Sequence, residues 1–137
     1  MKFRYSNLIY ACMLLALPLI FCREGAAAEK GRYLCALTEV IECDRLGECA
    51  EQMPETIGLP DFIVIDLDQM ELQTPSNEGV RKTKIGASLM IEGKTILSGI
   101  EQRGWSAVLS EGNTRLSATI SDELVGFILF GVCRAEP

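Results

Sequence analysis

The second half of the chain alternates between apolar and polar residues, and this alternation predicts β-strands. In 104–110 the apolar set begins at Trp105, and in 115–121 it begins at Leu116. A period of two is typical of a strand with one buried face and one solvated face. The segment 124–133 is apolar at both sets of positions, so we expect a strand that is covered on both faces.

Further strands are predicted where short apolar runs lie between turn residues. The stretch from Thr83 to Ile91 alternates most regularly, and Glu92-Gly93 supplies its turn, because glycine accepts a positive φ at low cost. By composition, Thr74–Arg81 is expected to be a loop. The remaining predicted strands are Tyr33–Val40, Phe62–Leu67, Met70–Thr74 and Lys94–Ile100.

These elements predict an all-β domain of about eight antiparallel strands with short connections. Such a meander can close into a small up-and-down barrel, and a sandwich of two sheets is the alternative. Closure would place the first strand beside the last, and with them Cys35 beside Cys133. A barrel of eight strands has room for packed side chains or for one small ligand.

The N-terminal segment has the features of a secretory signal peptide. A basic start precedes an apolar run of 14 residues at 8–21, and the small residues of 25–28 form an A-x-A cleavage site. The run is shorter than the roughly 20 residues that a membrane-spanning helix needs. Lipid attachment at Cys22 would need a small residue before it, where a phenylalanine stands. We therefore predict a signal peptide at 1–28 and a single exported β domain at 29–137.

Four cysteines remain after cleavage, and an even number in a short exported chain favours two disulfides. Of the three possible pairings, we predict a local Cys43–Cys49 bridge and a Cys35–Cys133 bridge between the two ends of the domain. Four thiolates at this scattered spacing, in a chain with no histidine and no C-x-x-C motif, do not predict a metal site.

The charge of the predicted domain is concentrated in its first part. Residues 29–71 hold eleven acidic and three basic residues, whereas 72–137 hold seven of each. A domain with a net charge of −8 is a poor partner for nucleic acid and a better one for a cationic protein. Solubility alone is the other interpretation of this acidity.

The acidic segment between Ile41 and Pro54 is the candidate binding site. It is expected to be a compact loop or a single helical turn, because Gly47 lies between the two cysteines that would cross-link it. The cross-link would hold Asp44, Arg45 and Glu48 in a fixed arrangement for a protein partner.

No catalytic site or cofactor is predicted. The chain has no histidine and no phosphate-binding glycine loop. Lys84 and Ser88 would lie about 13 Å apart on a strand, too far for a nucleophile and its base. Asp66 and Asp68 are typical of the end of a hairpin, where turns favour aspartate. Trp105 is expected in the core, although it could also line a binding surface.

The sequence resembles small, uncharacterised exported proteins of Gram-negative bacteria, in which a Y-x-C motif accompanies a cysteine at the end of the last strand. Here these are Tyr33-Leu34-Cys35 and Cys133. The general build is also similar to that of periplasmic lysozyme inhibitors, which are small disulfide-containing β-barrels. No match to the inhibitors' Ser-Gly loop is present, since Gly86–Leu89 is a poor substitute, and no functional residue is transferred.

We therefore expect a periplasmic or secreted protein that binds or inhibits a protein partner without catalysis, with no stable membrane span after cleavage. A carrier of a small apolar ligand and a structural envelope protein are the alternatives. The sequence does not indicate an oligomeric state.

Overall fold

The computed structural model describes residues 30–76, 79–101, 103–110 and 112–137. The predicted signal peptide, 1–28, lies outside them. They form a short 3-10 helix at Pro54–Ile57 and ten strands, which confirms the all-β prediction. No helix in these ranges has the length and hydrophobicity to cross a lipid bilayer. The strands are β1 (Arg32–Asp44), β2 (Cys49–Gln52), β3 (Phe62–Asp66), β4 (Glu71–Ser76), β5 (Gly79–Lys84), β6 (Ala87–Ile91), β7 (Lys94–Gly99), β8 (Gly104–Ser110), β9 (Arg115–Ser121) and β10 (Val125–Glu136).

Nine of the strands form one antiparallel sheet in the order β5-β4-β3-β1-β10-β9-β8-β7-β6, and β2 pairs with the far end of β1. The sheet curls into a half-barrel, so the barrel expectation holds over the two-sheet sandwich. The first and last strands lie side by side, and Cys35 stands opposite Cys133 in their register. Closure of a meander into a barrel requires its first and last strands to be adjacent in this way.

The two edges of the sheet, β5 and β6, are joined by only two residues, Ile85 and Gly86. The N–H of Ile85 donates to the carbonyl of Met70, and the N–H of Gly86 donates to the carbonyl of Ser98, both at 2.8 Å. The first bond ties the link to the turn before β4, and the second ties it to β7, so the link is held from both edges of the sheet. No ladder pairs β5 with β6 in the described part of the chain, so the curled sheet has a lateral opening.

The prediction of one continuous strand at 83–91 is wrong, because the two-residue link divides it into β5 and β6. Ile85 is buried and Gly86 is exposed, but Ala87 is exposed as well, where continued alternation would place it inside. A slip of one residue moves every later side chain to the other face. Ser88 consequently lies on the inner side, whereas Leu89 is 52% exposed.

The prediction of a loop at 74–81 is also wrong for 74–76 and 79–81, while 77–78 lie outside the described residues. β4 and β5 stay paired along this stretch, from Thr74 opposite Arg81 to Ser76 opposite Gly79. Proline is tolerated in a strand where its missing N–H is not needed by a neighbour. Pro75 satisfies this condition, because β3 pairs with β4 only as far as Gln73.

β10 is covered on one face only, which corrects the expectation for 124–133. Phe127 and Leu129 are buried on the inner side, whereas Ile128 and Phe130 are partly exposed on the outer side. The sheet is a single layer, and no described element packs over its outer face. The apolar outer positions therefore remain in contact with solvent.

The acidic cysteine segment is a β-hairpin and not the compact loop or helical turn that was expected. β1 changes its inward-facing set at an irregularity between Leu37 and Glu39, after which Val40 is fully buried. It then continues to Asp44, pairing with β10 on one side and with β2 on the other. β9 pairs with β10 along the same length, so this end of the sheet continues beyond β10. We call the paired ends of β1 and β2 the β1–β2 arm, and the turn between them is its tip.

Both predicted disulfides are present, Cys35–Cys133 and Cys43–Cys49. The first lies within the larger core cluster, which includes Ile85, Leu97 and Leu109. A second, smaller cluster is built around Val40, Phe127 and Leu129. Burying a leucine or isoleucine side chain stabilises a fold by roughly 1.5–3 kcal/mol, so the larger cluster dominates stability.

Replacing Gly131 with alanine is expected to lower the free energy of unfolding by about 1–3 kcal/mol, because the site has no room for a side chain. Gly131 is buried on β10, and a Cβ atom there would lie 2.6 Å from the carbonyl oxygen of Ala36. This neighbour is backbone of β1, so the sheet itself would have to shift. Urea unfolding of the oxidised protein would measure the loss.

Gly126→Ala is the matched control, because Gly126 lies on the same strand and its Cβ atom would come no closer than 3.9 Å to another heavy atom. Alanine in a strand is favoured over glycine by roughly 0.5–1 kcal/mol. This variant should therefore unfold at an equal or higher urea concentration than the parent. Equal losses in the two variants would contradict the close approach at Gly131.

Candidate functional site

The half-barrel encloses an interior cleft with a volume of about 680 Å³. This falls within the roughly 300–1,000 Å³ of ordinary small-molecule sites. β3, β4 and β5 form one wall, β8 and β9 form the other, and β10 contributes Leu129. The apolar residues lining the interior cleft are Ile57, Leu59, Pro60, Ile63, Ile65, Leu72, Pro75, Trp105, Ala107, Leu116, Ala118, Ile120 and Leu129.

The space exists because small side chains occupy the wall between the two core clusters. Ala107 on β8 stands opposite Ala118 on β9, and Ala118 stands opposite Leu129 on β10. Ala107 belongs to the larger cluster and Leu129 to the smaller one. Ala118 packs against both clusters, and because the two alanines do not fill the interior as leucine or phenylalanine would, the cleft stays open.

Trp105, the only tryptophan of the chain, forms part of the cleft wall and also packs against the larger core cluster. It stands opposite Gly99 of β7, where an added Cβ atom would lie 2.6 Å from the indole Nε1. The ring thus occupies the place of the missing glycine side chain. Its buried N–H has no hydrogen-bond partner among the described residues. Trp105 therefore packs against the core, as expected, and its ring also lines the cleft.

The rim of the interior cleft carries charges of both signs. Arg81, Arg103, Glu55 and Glu101 line it and are exposed to solvent. Arg103 pairs with Asp122 at 3.0 Å, and its guanidinium lies 5.9 Å from the centre of the Phe127 ring. The cleft therefore presents an apolar interior and a polar, nearly charge-balanced mouth.

One carboxylate at the rim bridges the lateral opening of the sheet. The backbone N–H of Lys84 on edge strand β5 donates to Glu101 Oε2 at 3.0 Å. Glu101 follows β7, on the other side of the opening. The opening between β5 and the end of β7 is thus spanned by a hydrogen bond of an exposed side chain.

The short segment after β2 forms the cleft wall on the side of the β1–β2 arm. Its 3-10 helix ends at Gly58, whose φ of 71° suits glycine, and Leu59 donates its N–H to the carbonyl of Pro54. Ile57 and Leu59 pack against the smaller core cluster and line the cleft at the same time. The segment from Pro54 to Pro60 is therefore part of the cleft wall.

The site residues predicted from sequence lie elsewhere, at the tip of the β1–β2 arm. Asp44, Arg45 and Glu48 are exposed, and Cys43 faces Cys49 directly in the β1–β2 register. None of the three lines the interior cleft. The structure thus contains two separate candidate regions, the cleft inside the barrel and the turn at the end of the arm.

The described residues hold no group of three or more cysteine, aspartate or glutamate residues placed to share a metal ion. Asp66 accepts a hydrogen bond from the N–H of Gln69 at 2.8 Å, so it acts as a turn residue at the end of a hairpin, as expected, but its side chain is buried where a solvated acid was expected.

Sequence reasoning missed the cleft residues on β4, β5 and the loop after β7, including Arg81 and Arg103. The signal that could have found the cleft was the pair Ala107 and Ala118, which are small residues on the predicted inner face of neighbouring strands.

Comparison of the chain with models of protein families, with curated proteins and with solved structures found no match.

Proposed function

We propose that this protein is a non-catalytic carrier that binds one small, mainly apolar ligand in the interior cleft. The observation that carries the proposal is the cleft itself, with its volume of about 680 Å³ and its wall of aliphatic residues and one tryptophan. Burial of apolar ligand surface against such a wall is favourable by roughly 25 cal/mol per Å².

The rim limits the chemistry of the ligand. Two arginines and two glutamates surround the mouth, so it has no excess of either charge. An apolar body with an uncharged or zwitterionic polar end fits this environment better than a strongly charged molecule does. A carrier needs a lumen that large side chains do not fill, and the small side chains of Ala107 and Ala118 in the wall support this.

We place the carrier outside the cytoplasm, in the periplasm or in the secreted fraction. Two disulfides in a small domain support this location, because such bonds persist in oxidising compartments. The predicted signal peptide at 1–28 supports it independently.

Titration with N-phenyl-1-naphthylamine, an uncharged apolar dye, tests the proposal. We expect saturable dye fluorescence at one dye per protein and parallel quenching of Trp105 emission by energy transfer. Trp105 is the only tryptophan and lines the cleft, so its quenching reports occupancy of this site.

A dye signal that fails to saturate, or that leaves Trp105 emission unchanged, would contradict a carrier function for the cleft. The same titration in 6 M urea is the control for dye bound to unfolded chains. It should show neither saturation nor energy transfer, because the cleft is assembled only by the folded sheet.

A further inference from the structure

The tip of the β1–β2 arm is held rigid by its own contacts. Asp44 Oδ1 accepts hydrogen bonds from the N–H groups of Leu46 at 2.8 Å and Glu48 at 3.0 Å. The Cys43–Cys49 disulfide closes the hairpin beneath this turn. A rigid turn loses little conformational entropy when it is bound, so it is suited to recognition.

A second turn lies beside the first. It joins β9 to β10 and contains Asp122, Glu123 and Leu124, and Asp44 stands opposite Val125 in the β1–β10 register. Asp122 accepts a hydrogen bond from the N–H of Glu123 at 2.7 Å and pairs with Arg103. Both turns line a hollow of about 220 Å³. The two turns thus form one surface, the tip surface.

Each turn presents a leucine to solvent. Leu46 is 79% exposed and Leu124 is 61% exposed. Neither belongs to either core cluster. The turns that hold them are fixed by hydrogen bonds, so the leucines cannot fold back into the core without breaking the turns. Leu124 lines the hollow, and Leu46 follows Arg45, which also lines it. Exposed apolar side chains surrounded by polar residues can mark a binding surface.

The charges around the two leucines define the partner. Asp44, Glu48, Asp122 and Glu123 lie on the tip surface with Arg45, whereas Arg103 is paired with Asp122. The surface therefore combines apolar anchors with excess negative charge. Such a combination complements a segment that carries both basic and apolar residues.

We infer that the tip surface docks a basic, apolar-containing segment of a partner protein. This function is separate from ligand carriage, because the residues of the tip surface do not line the interior cleft. The leucines would supply the buried contact, and the carboxylates would orient the partner and speed its association. The arm would thus act as the protein-binding end of the molecule.

Site-specific photo-cross-linking in cells that export the protein tests this inference. A photoreactive residue at position 46, and separately at position 124, should cross-link to the same polypeptide through a segment rich in lysine or arginine. Position 89 is the control, because Leu89 is also an exposed leucine but lies on edge strand β6. Cross-linking at 89 to the same extent would overturn the inference.

Charge reversal provides the second test. The double change Glu48→Lys and Glu123→Lys should reduce the cross-link yield at both positions at least about tenfold, since like charges across an interface are strongly unfavourable. Glu92→Lys, in the turn between β6 and β7, should leave the yield unchanged. All variants should keep the parent's urea unfolding midpoint. Yields that are insensitive to the double reversal, or no cross-link at 46 and 124, would overturn the inference.

Discussion

Replacing Cys35 and Cys133 together with alanine is expected to lower the free energy of unfolding by about 4–5 kcal/mol. The bridge spans 98 positions of sequence, and the entropy that a cross-link removes from the unfolded chain grows with the length of the closed loop. Both cysteines are also buried within the larger core cluster, so their removal leaves unfilled space. A loss of this size is a large fraction of the 5–15 kcal/mol that stabilises a typical domain.

The double change Cys43→Ala and Cys49→Ala is the matched control. That bridge spans only 6 positions and lies at the exposed tip of the arm, so the same chain-entropy relation gives about 2 kcal/mol. Urea unfolding of the three oxidised proteins would measure both losses. If the short bridge stabilised the protein as much as the long one, loop length and burial would not explain the stability of the fold.

The regular hairpins of the second half were predictable, because apolar and polar residues alternate along their strands and so identify the buried and the exposed face. Trp105, Ala107 and Leu109 lie on the inner side, as their alternation predicted. The turn at Glu92-Gly93 was predictable from glycine chemistry, and both residues have positive φ values, 49° and 74°. The alternation of apolar and polar residues and the turn residues were sufficient to predict the strands where no irregularity interrupts the alternation.

Two departures from prediction occur where one residue breaks the alternation. At Gly86 the inner side changes from odd to even positions, and near Leu37 the same change brings Val40 into the core. Such irregularities depend on how two distant edges of the sheet meet. At Gly86 one ladder ends, with Ile85 bonded to Met70, and another begins, with Gly86 bonded to Ser98, and no local pattern specifies this switch.

The two candidate regions also differ in how much of each can be predicted from the sequence. The cross-link at the tip of the arm could be predicted, because Cys43 and Cys49 are close in sequence, whereas the hairpin that it closes was not predicted. The interior cleft could not, because its volume depends on which side chains from six strands meet in space. Only the alanine pair in its wall is visible as a local feature of the sequence.

This alanine pair provides the sharpest test of ligand carriage. Ala118→Phe is expected to weaken binding of the naphthylamine dye at least about tenfold, because an aromatic ring would occupy space that the ligand needs. Ala118 lies in the cleft wall between Ala107 and Leu129. The ring enters unfilled space, so we expect the free energy of unfolding to change by less than about 1.5 kcal/mol.

Ser117→Phe is the matched control, because it adds the same ring one residue earlier on β9. Successive side chains of a strand point to opposite faces, and Ser117 is exposed between Val108 and Phe130 on the outer face. This variant should bind the dye as tightly as the parent. Equal affinities in all three proteins would place the dye outside the cleft. A loss in the Ala118 variant alone would show that binding depends on the space left by two alanines.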